Sequence, residues 1–207
     1  MAVITNYATL QTAVADYLAR DDLSTFVPNF VQNCENKLYR TLNLRNEETA
    51  LSVNISSGVA AVPSTFKALK FAYYNSSPIA LLEWVTLDEL YSKYPVRSNS
   101  STPAVISREG TNFVFGPVAD DLTAGLKGIY YAKKDPLRTT DPSWYVTNAP
   151  EVLLYGSLLE AEPFIKNDPR IPVWRMLYDE AVGTLETEER NASSKSNNLV
   201  QRAARVV

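Results

Sequence analysis

Histidine is absent from this 207-residue chain. Without it the usual Ser or Cys triad has no base, and zinc or non-haem iron sites that need an imidazole ligand are excluded. Cysteine is nearly absent too. Cys34 stands alone, so there is no internal disulfide and no Cys-built zinc cluster, and nothing points to an oxidising compartment. The seven glycines are scattered, and none precedes a Lys-Ser/Thr pair at the spacing of a phosphate-cradling loop. No apolar run approaches the length that spans a bilayer, and the start MAVITNYATL lacks a basic stretch followed by an apolar one. The expectation is a protein made and kept in the cytosol, with no membrane partner.

A basic excess is missing as well. The net charge of −3 argues against a nucleic-acid groove along the body, since phosphate binding needs clustered Lys and Arg. Charge is unevenly placed: all 23 acidic residues precede residue 191, whereas the last seventeen residues carry Lys195, Arg202 and Arg205. The chemistry left to the body is that of carboxylates, in the pairs Asp21/Asp22, Asp120/Asp121 and Glu160/Glu162. Residues one or two apart on a helix do not face each other, and the two Asp pairs fit connections better than a catalytic cleft. No catalytic, cofactor or metal residue is expected, and the chain reads as a non-enzyme.

What the chain does have is apolar periodicity. Leu10, Ala13, Val14, Tyr17 and Leu18 recur at helical spacing behind Thr5 and Asn6, predicting a helix from about Asn6 to Arg20. Val27, Phe30, Val31, Cys34 and Leu38 predict a second, capped by Ser24 or Thr25. From Glu47 the runs shorten, and Thr49 to Ile55, Leu69 to Tyr74, Ile79 to Trp84, Val105 to Arg108, Asn112 to Phe115 and Leu126 to Ala132 read as five or six antiparallel strands. Thr86 to Glu89 forms a capping box for one short helix among them. Helix returns after Asn148, expected as its cap, and Pro150. Val152 to Ala161 is apolar nearly all round, hence buried on several sides, until Pro163 ends or kinks it. Asp168 and Pro169 open a last helix with the stripe Trp174, Leu177, Tyr178, Ala181, Val182 and Leu185.

The expected fold is therefore α+β: a four-helix-type bundle of two N-terminal and two C-terminal helices, with an inserted antiparallel β domain and an extended C-terminal tail. The expected boundaries are a helical hairpin over 1–46, a β-rich insert over 47–137, helices completing the bundle over 138–192 and an extension over 193–207.

Several residues in order, namely Arg20-Asp21-Asp22-Leu23, Tyr130-Tyr131, Tyr155-Gly156, Glu160, Pro163-Phe164, Asp168 and Trp174, make the chain resemble the head-to-tail adaptor (connector, or head completion) proteins of tailed bacteriophages. Tyr7, Leu10, Phe30, Glu35, Leu38 and Gly128 belong to the same pattern. The resemblance implies a virion structural protein at the head-tail junction, assembled in the host cytoplasm. It implies a ring, expected as a dodecamer, that docks on the portal protein and joins it to a tail nozzle or tube protein. Tail fibres are a further candidate partner, and DNA would pass the channel without sequence-specific binding. The family's C-terminal extension reaches up the portal. Here it would be the basic end of the chain, with Leu199, Val200, Val206 and Val207 as apolar anchors, Lys195, Arg202 and Arg205 supplying direction, and Asn198 between them. Fully extended, the last seventeen residues would reach about 55 Å. The competing readings are another phage tail ring component (tail completion or tube protein), a carboxylate-dependent cell-wall hydrolase, and an interaction module outside phages.

Overall fold

The structure is a computed structural model that describes residues 3–165 and 168–194. Contacts divide the chain into two units, one built from the residues up to Asn43 and from Asp135 onward, the other from Leu44–Lys134.

The first unit is helical. α1 (Tyr7–Leu18) starts at Asn6, whose side chain accepts the Thr9 amide at 2.8 Å while Thr9 Oγ1 accepts the Asn6 amide at 3.0 Å. It ends where Ala19 turns left-handed. A 3-10 turn (Asp21–Phe26) leads into α2 (Val27–Thr41), which has Pro28 in its first turn. Neither Ser24 nor Thr25 caps α2: the preceding turn already supplies helical backbone geometry at Phe26. α4 (Trp144–Asn148) and α5 (Pro150–Glu160) abut at Ala149. Asn148 closes α4 and donates to Trp144 O at 2.9 Å, so it does not cap α5; Pro150 begins α5 because its missing N–H costs nothing there.

The near-continuous apolar surface of α5 is explained by its neighbours. α1, α2, α4 and α7 (Ile171–Ser194) all pack on it, burying Val152, Leu153, Leu154, Gly156, Ser157 and Leu158. The short α6 (Glu162–Ile165) carries Pro163. Gly156 is where bulk cannot be tolerated: a Cβ there would lie 2.9 Å from Tyr178 Cε2 and closer still to Cys34 Sγ.

The second unit corrects the expected fold. It is a closed barrel of seven strands in the order β1-β2-β6-β5-β4-β3-β7, not an antiparallel sheet inserted in a four-helix bundle. The strands are β1 (Glu48–Ser56), β2 (Val59–Ala61), β3 (Phe66–Tyr74), β4 (Ala80–Trp84), β5 (Val105–Glu109), β6 (Asn112–Gly116) and β7 (Leu122–Ala132). The helical unit departs too, since α4 and α6 join the four long helices.

Closure rests on β7. This eleven-residue strand pairs along β1 on one side and along β3 on the other. Gly128 permits the close approach, because a Cβ there would strike Phe71 O and come within 2.8 Å of Ala72 Cα. β4 and β5 pair in parallel, as α3 (Leu87–Lys93) carries the chain across between them. Thr86 Oγ1 accepts the Glu89 amide at the start of α3. Inside the barrel Leu51, Ile55, Ala72, Leu82, Ile106, Phe113, Phe115, Leu126 and Tyr130 form the core, while Leu90, Val85, Val105 and Val114 form a second cluster around α3.

Two bulges in β3 do separate work. Against β7, Lys67 is the extra residue between Phe66 and Ala68, and Lys70 the extra residue between Leu69 and Phe71. Each pairs with an acid, one just before β1 and one at its first residue. Lys67 Nζ lies 2.7 Å from the fully buried Glu47, and Lys70 pairs with Glu48.

Candidate functional site

In each pair of acids considered for catalysis at least one member is engaged by another side chain. Glu160 pairs with Lys37, and Glu162 with Arg175 at 3.1 Å. Asp120 binds Ser100 Oγ, and Asp22 is held bidentately by Arg20 at 2.9 and 2.6 Å. Among the described residues no three His, Cys, Asp or Glu side chains are grouped to hold a metal ion. Cys34 is buried against Val152 O, and desolvation pushes its thiol up to about 12, far from a nucleophile's range. Burial likewise raises the Tyr178 hydroxyl to about 12.

Four of the motif residues, Tyr155, Phe164, Asp168 and Trp174, make contacts around the α1–α2 turn, α6 and the start of α7 in the helical unit. Leu23 is buried there, and Phe164 packs on Phe26 and Phe30 with ring centroids 5.3 and 5.2 Å apart. Tyr155 meets Tyr17 edge to face at 6.4 Å. Arg170, which sequence reasoning passed over, ties these together. Its guanidinium holds Asp168, donates to Tyr17 O at 2.7 Å and Leu18 O at 3.3 Å, and lies 4.9 Å from the Trp174 ring centroid. It thereby satisfies carbonyls left over at the end of α1. The signal for it was its place in Asp168-Pro169-Arg170, a cation one turn ahead of Trp174.

Gly156 and Glu160 lie on α5, away from that turn, at the seam with α2 and α7. Pro163 sits in α6. Tyr130 and Tyr131 belong to the barrel: Tyr130 points into its core with its hydroxyl 3.0 Å from Thr65 Oγ1, and Tyr131 is half-buried. Nothing is described of the Asp21 side chain. The expected portal-binding residues Lys195, Asn198, Leu199, Val200, Arg202, Arg205, Val206 and Val207 all lie outside the described residues.

Among the described residues, two sets of exposed apolar side chains stand out. On the helical unit Phe26, Phe164, Val173 and Met176 are exposed, Met176 by 60 %. On the barrel, Phe71 and Tyr73 stack at 6.3 Å on the outside of β3; Leu81, 71 % exposed, faces Tyr73 from β4, and Ile129 faces Phe71 from β7. Grouped exposed apolar side chains of this kind mark interaction surfaces. Sequence reasoning passed over the second surface; its signal lies in FKALKFAYY, which supplies large apolar residues to both faces of one strand. No helix among the described residues is long and apolar enough to cross a membrane.

Comparison with known proteins agrees with a chain built for contact. No curated protein sequence matches it significantly. The family model described as SU10 adaptor protein matches residues 5–202. With almost the whole length matched, the chain belongs to the SU10 adaptor proteins, a family of phage head-to-tail adaptors.

Proposed function

We propose that this adaptor acts as a ring, a dodecamer, seated between the portal protein and the tail, with DNA passing through its channel. The observation that carries the reading is the family match over residues 5–202. Membership makes the chain a phage adaptor and a virion component that associates with portal and tail proteins. Ring closure, subunit number and the portal contact are the proposal's own. In it the exposed apolar sets on the helical unit and on the barrel become buried between copies and against the tail nozzle or tube protein, as large interfaces require. The chain is not assigned a catalytic role.

The basic C-terminal residues are proposed as the portal latch. A segment with Leu199, Val200, Val206 and Val207 among polar and basic residues cannot bury itself alone, so ordering would wait for the portal surface. Lys195, Arg202 and Arg205 would speed the encounter with an acidic surface, and Asn198 would contribute hydrogen bonds. The acidic remainder of the chain favours passage of DNA over its retention.

The test is particle imaging of the purified chain mixed with the portal encoded beside it, each component alone serving as control. A twelvefold layer added to the portal is expected. Truncation after Ser193 is expected to give a folded chain that no longer joins. Normal joining by the truncated chain would overturn the latch, and no association of the full chain would overturn portal docking.

A further inference from the structure

The helical unit contains a cavity beside a buried acid. It measures about 320 Å³, within the range of small-ligand pockets, and Tyr7, Gln32, Glu35, Arg138 and Thr139 contribute its polar lining. Glu35 is the unusual member. It is only 3 % exposed, yet it is a carboxylic acid with an opening beside it. Its Oε1 accepts the Leu137 amide at 2.8 Å, and its second oxygen has no partner among the described hydrogen bonds and ion pairs. In this unit Asp22, Glu160, Glu162 and Asp168 are each paired to a cation. Glu35 is not. Burial raises its carboxyl above the ordinary value, outweighing the opposite pull of the Leu137 N–H.

Keeping such a group charged costs several kcal/mol unless a counter-charge arrives. A protein that needed only to accept the Leu137 N–H would be better served by Gln, which offers the same acceptor without the charge. The carboxylate is useful if something positive enters the cavity. Lys37, nearby in sequence on α2, is taken by Glu160. Arg138 lines the same cavity but is exposed, and it forms no described ion pair. Its charge sits in water, where it is screened, whereas that of Glu35 is not.

We infer that this cavity is a receptor for one cationic side chain, a guanidinium or ammonium group, with the free oxygen of Glu35 as its counter-ion. The hydroxyls of Tyr7 and Thr139 and the Gln32 amide oxygen supply further acceptors for its N–H groups. The cation comes either from another protein of the particle or from the chain's own basic end, and the two sources are separable. The inference does not rest on portal docking, because its test needs only the free chain.

The probe is n-propylguanidinium, titrated into the 15N-labelled full-length protein while the Leu137 amide is followed by NMR, with n-propylurea as the uncharged isostere. Saturable binding is expected, with a dissociation constant on the order of millimolar, as one charge pair supplies. Glu35→Gln keeps the acceptor for Leu137 and should weaken binding at least tenfold, while n-propylurea should leave Leu137 unmoved. Arg138→Ala removes an exposed like charge from the cavity wall and should tighten binding a few-fold. Equal affinity in Glu35→Gln, no saturation in the full chain, or weaker binding in Arg138→Ala would each overturn the inference. Repeating the titration on the chain truncated after Ser193 identifies the source. Unchanged affinity supports a cation from another protein, and tighter binding supports competition by the chain's own end.

Discussion

Replacing Gly156 with Ala tests whether the seam between α2, α5 and α7 is as full as its geometry implies. In an exposed helix this change stabilises by about 1 kcal/mol, because alanine loses less backbone freedom on folding. At Gly156 the added methyl would lie 2.9 and 3.3 Å from the Tyr178 ring and nearer still to Cys34 Sγ. Overfilling a packed core costs about 1–3 kcal/mol. The upper end applies, because Cys34 is 2 % exposed and held against Val152 O. The net expectation is a loss of about 2 kcal/mol, or about 4–8 °C in melting temperature for a chain of this size. Cys34→Ala removes the nearest clashing atom. In that background Gly156→Ala should be close to neutral, a coupling of about 2 kcal/mol in a double-mutant cycle read by urea denaturation. Stabilisation by Gly156→Ala in the wild-type background, or the same cost in both backgrounds, would refute the reasoning.

Lys67→Met leaves the buried Glu47 carboxylate without the cation at 2.7 Å and should cost about 3 kcal/mol at pH 7. Burial already raises the Glu47 carboxyl, so the fold holds that proton more tightly than the unfolded chain does. The contribution of Glu47 to stability is therefore full below the unfolded value of about 4.5 and is lost as pH rises through the folded one, more steeply in Lys67→Met than in the wild-type chain. A flat pH profile would contradict this. Gly128→Ala pushes a methyl into the backbone of β3 and should cost more than about 3 kcal/mol, with loss of barrel signals in circular dichroism; full native stability would show that the strands part freely. Cys34, its thiol raised to about 12 by burial, should resist Ellman's reagent at pH 8 until the protein is denatured, so prompt reaction in the native state would show that the seam opens.

Where one element's sequence pattern reports one environment, the structure was readable. The stripe from Trp174 to Leu185 lies on α7, Asn6 caps α1, and the all-round apolar run from Val152 marks a helix enclosed by others. The six longer strands were legible too; what could not be read was their closure into a barrel, for equally local reasons. β2 has three residues, too few for any period. In β3 the inward residues Phe66, Leu69 and Ala72 are spaced by three because Lys67 and Lys70 bulge out, so alternation emerges only toward Tyr74. β5 and β6, legible as short apolar strands, are covered by the barrel core on one side and the α3 cluster on the other, so neither shows a polar face. Closure depends on one strand finding two partners, a pairing that no window of sequence records. The motif residues were legible as a set. What joins them was less so, since Arg170 acts on the carbonyls of Tyr17 and Leu18, more than 150 positions earlier in the chain.

The double pairing of β7 has a consequence for crowding. A sheet that ends in open strands offers unpaired amides and carbonyls to any similar sheet nearby, and identical copies are the most similar sheets of all. Because β7 closes onto both β1 and β3, each barrel satisfies its own ladder and has no rail left for a neighbour to extend. Copies of this chain brought side by side at high local concentration are thus left to recognise one another through side chains such as Phe71 and Leu81, whose placement is specific, and not through backbone, which would let them fuse in any register.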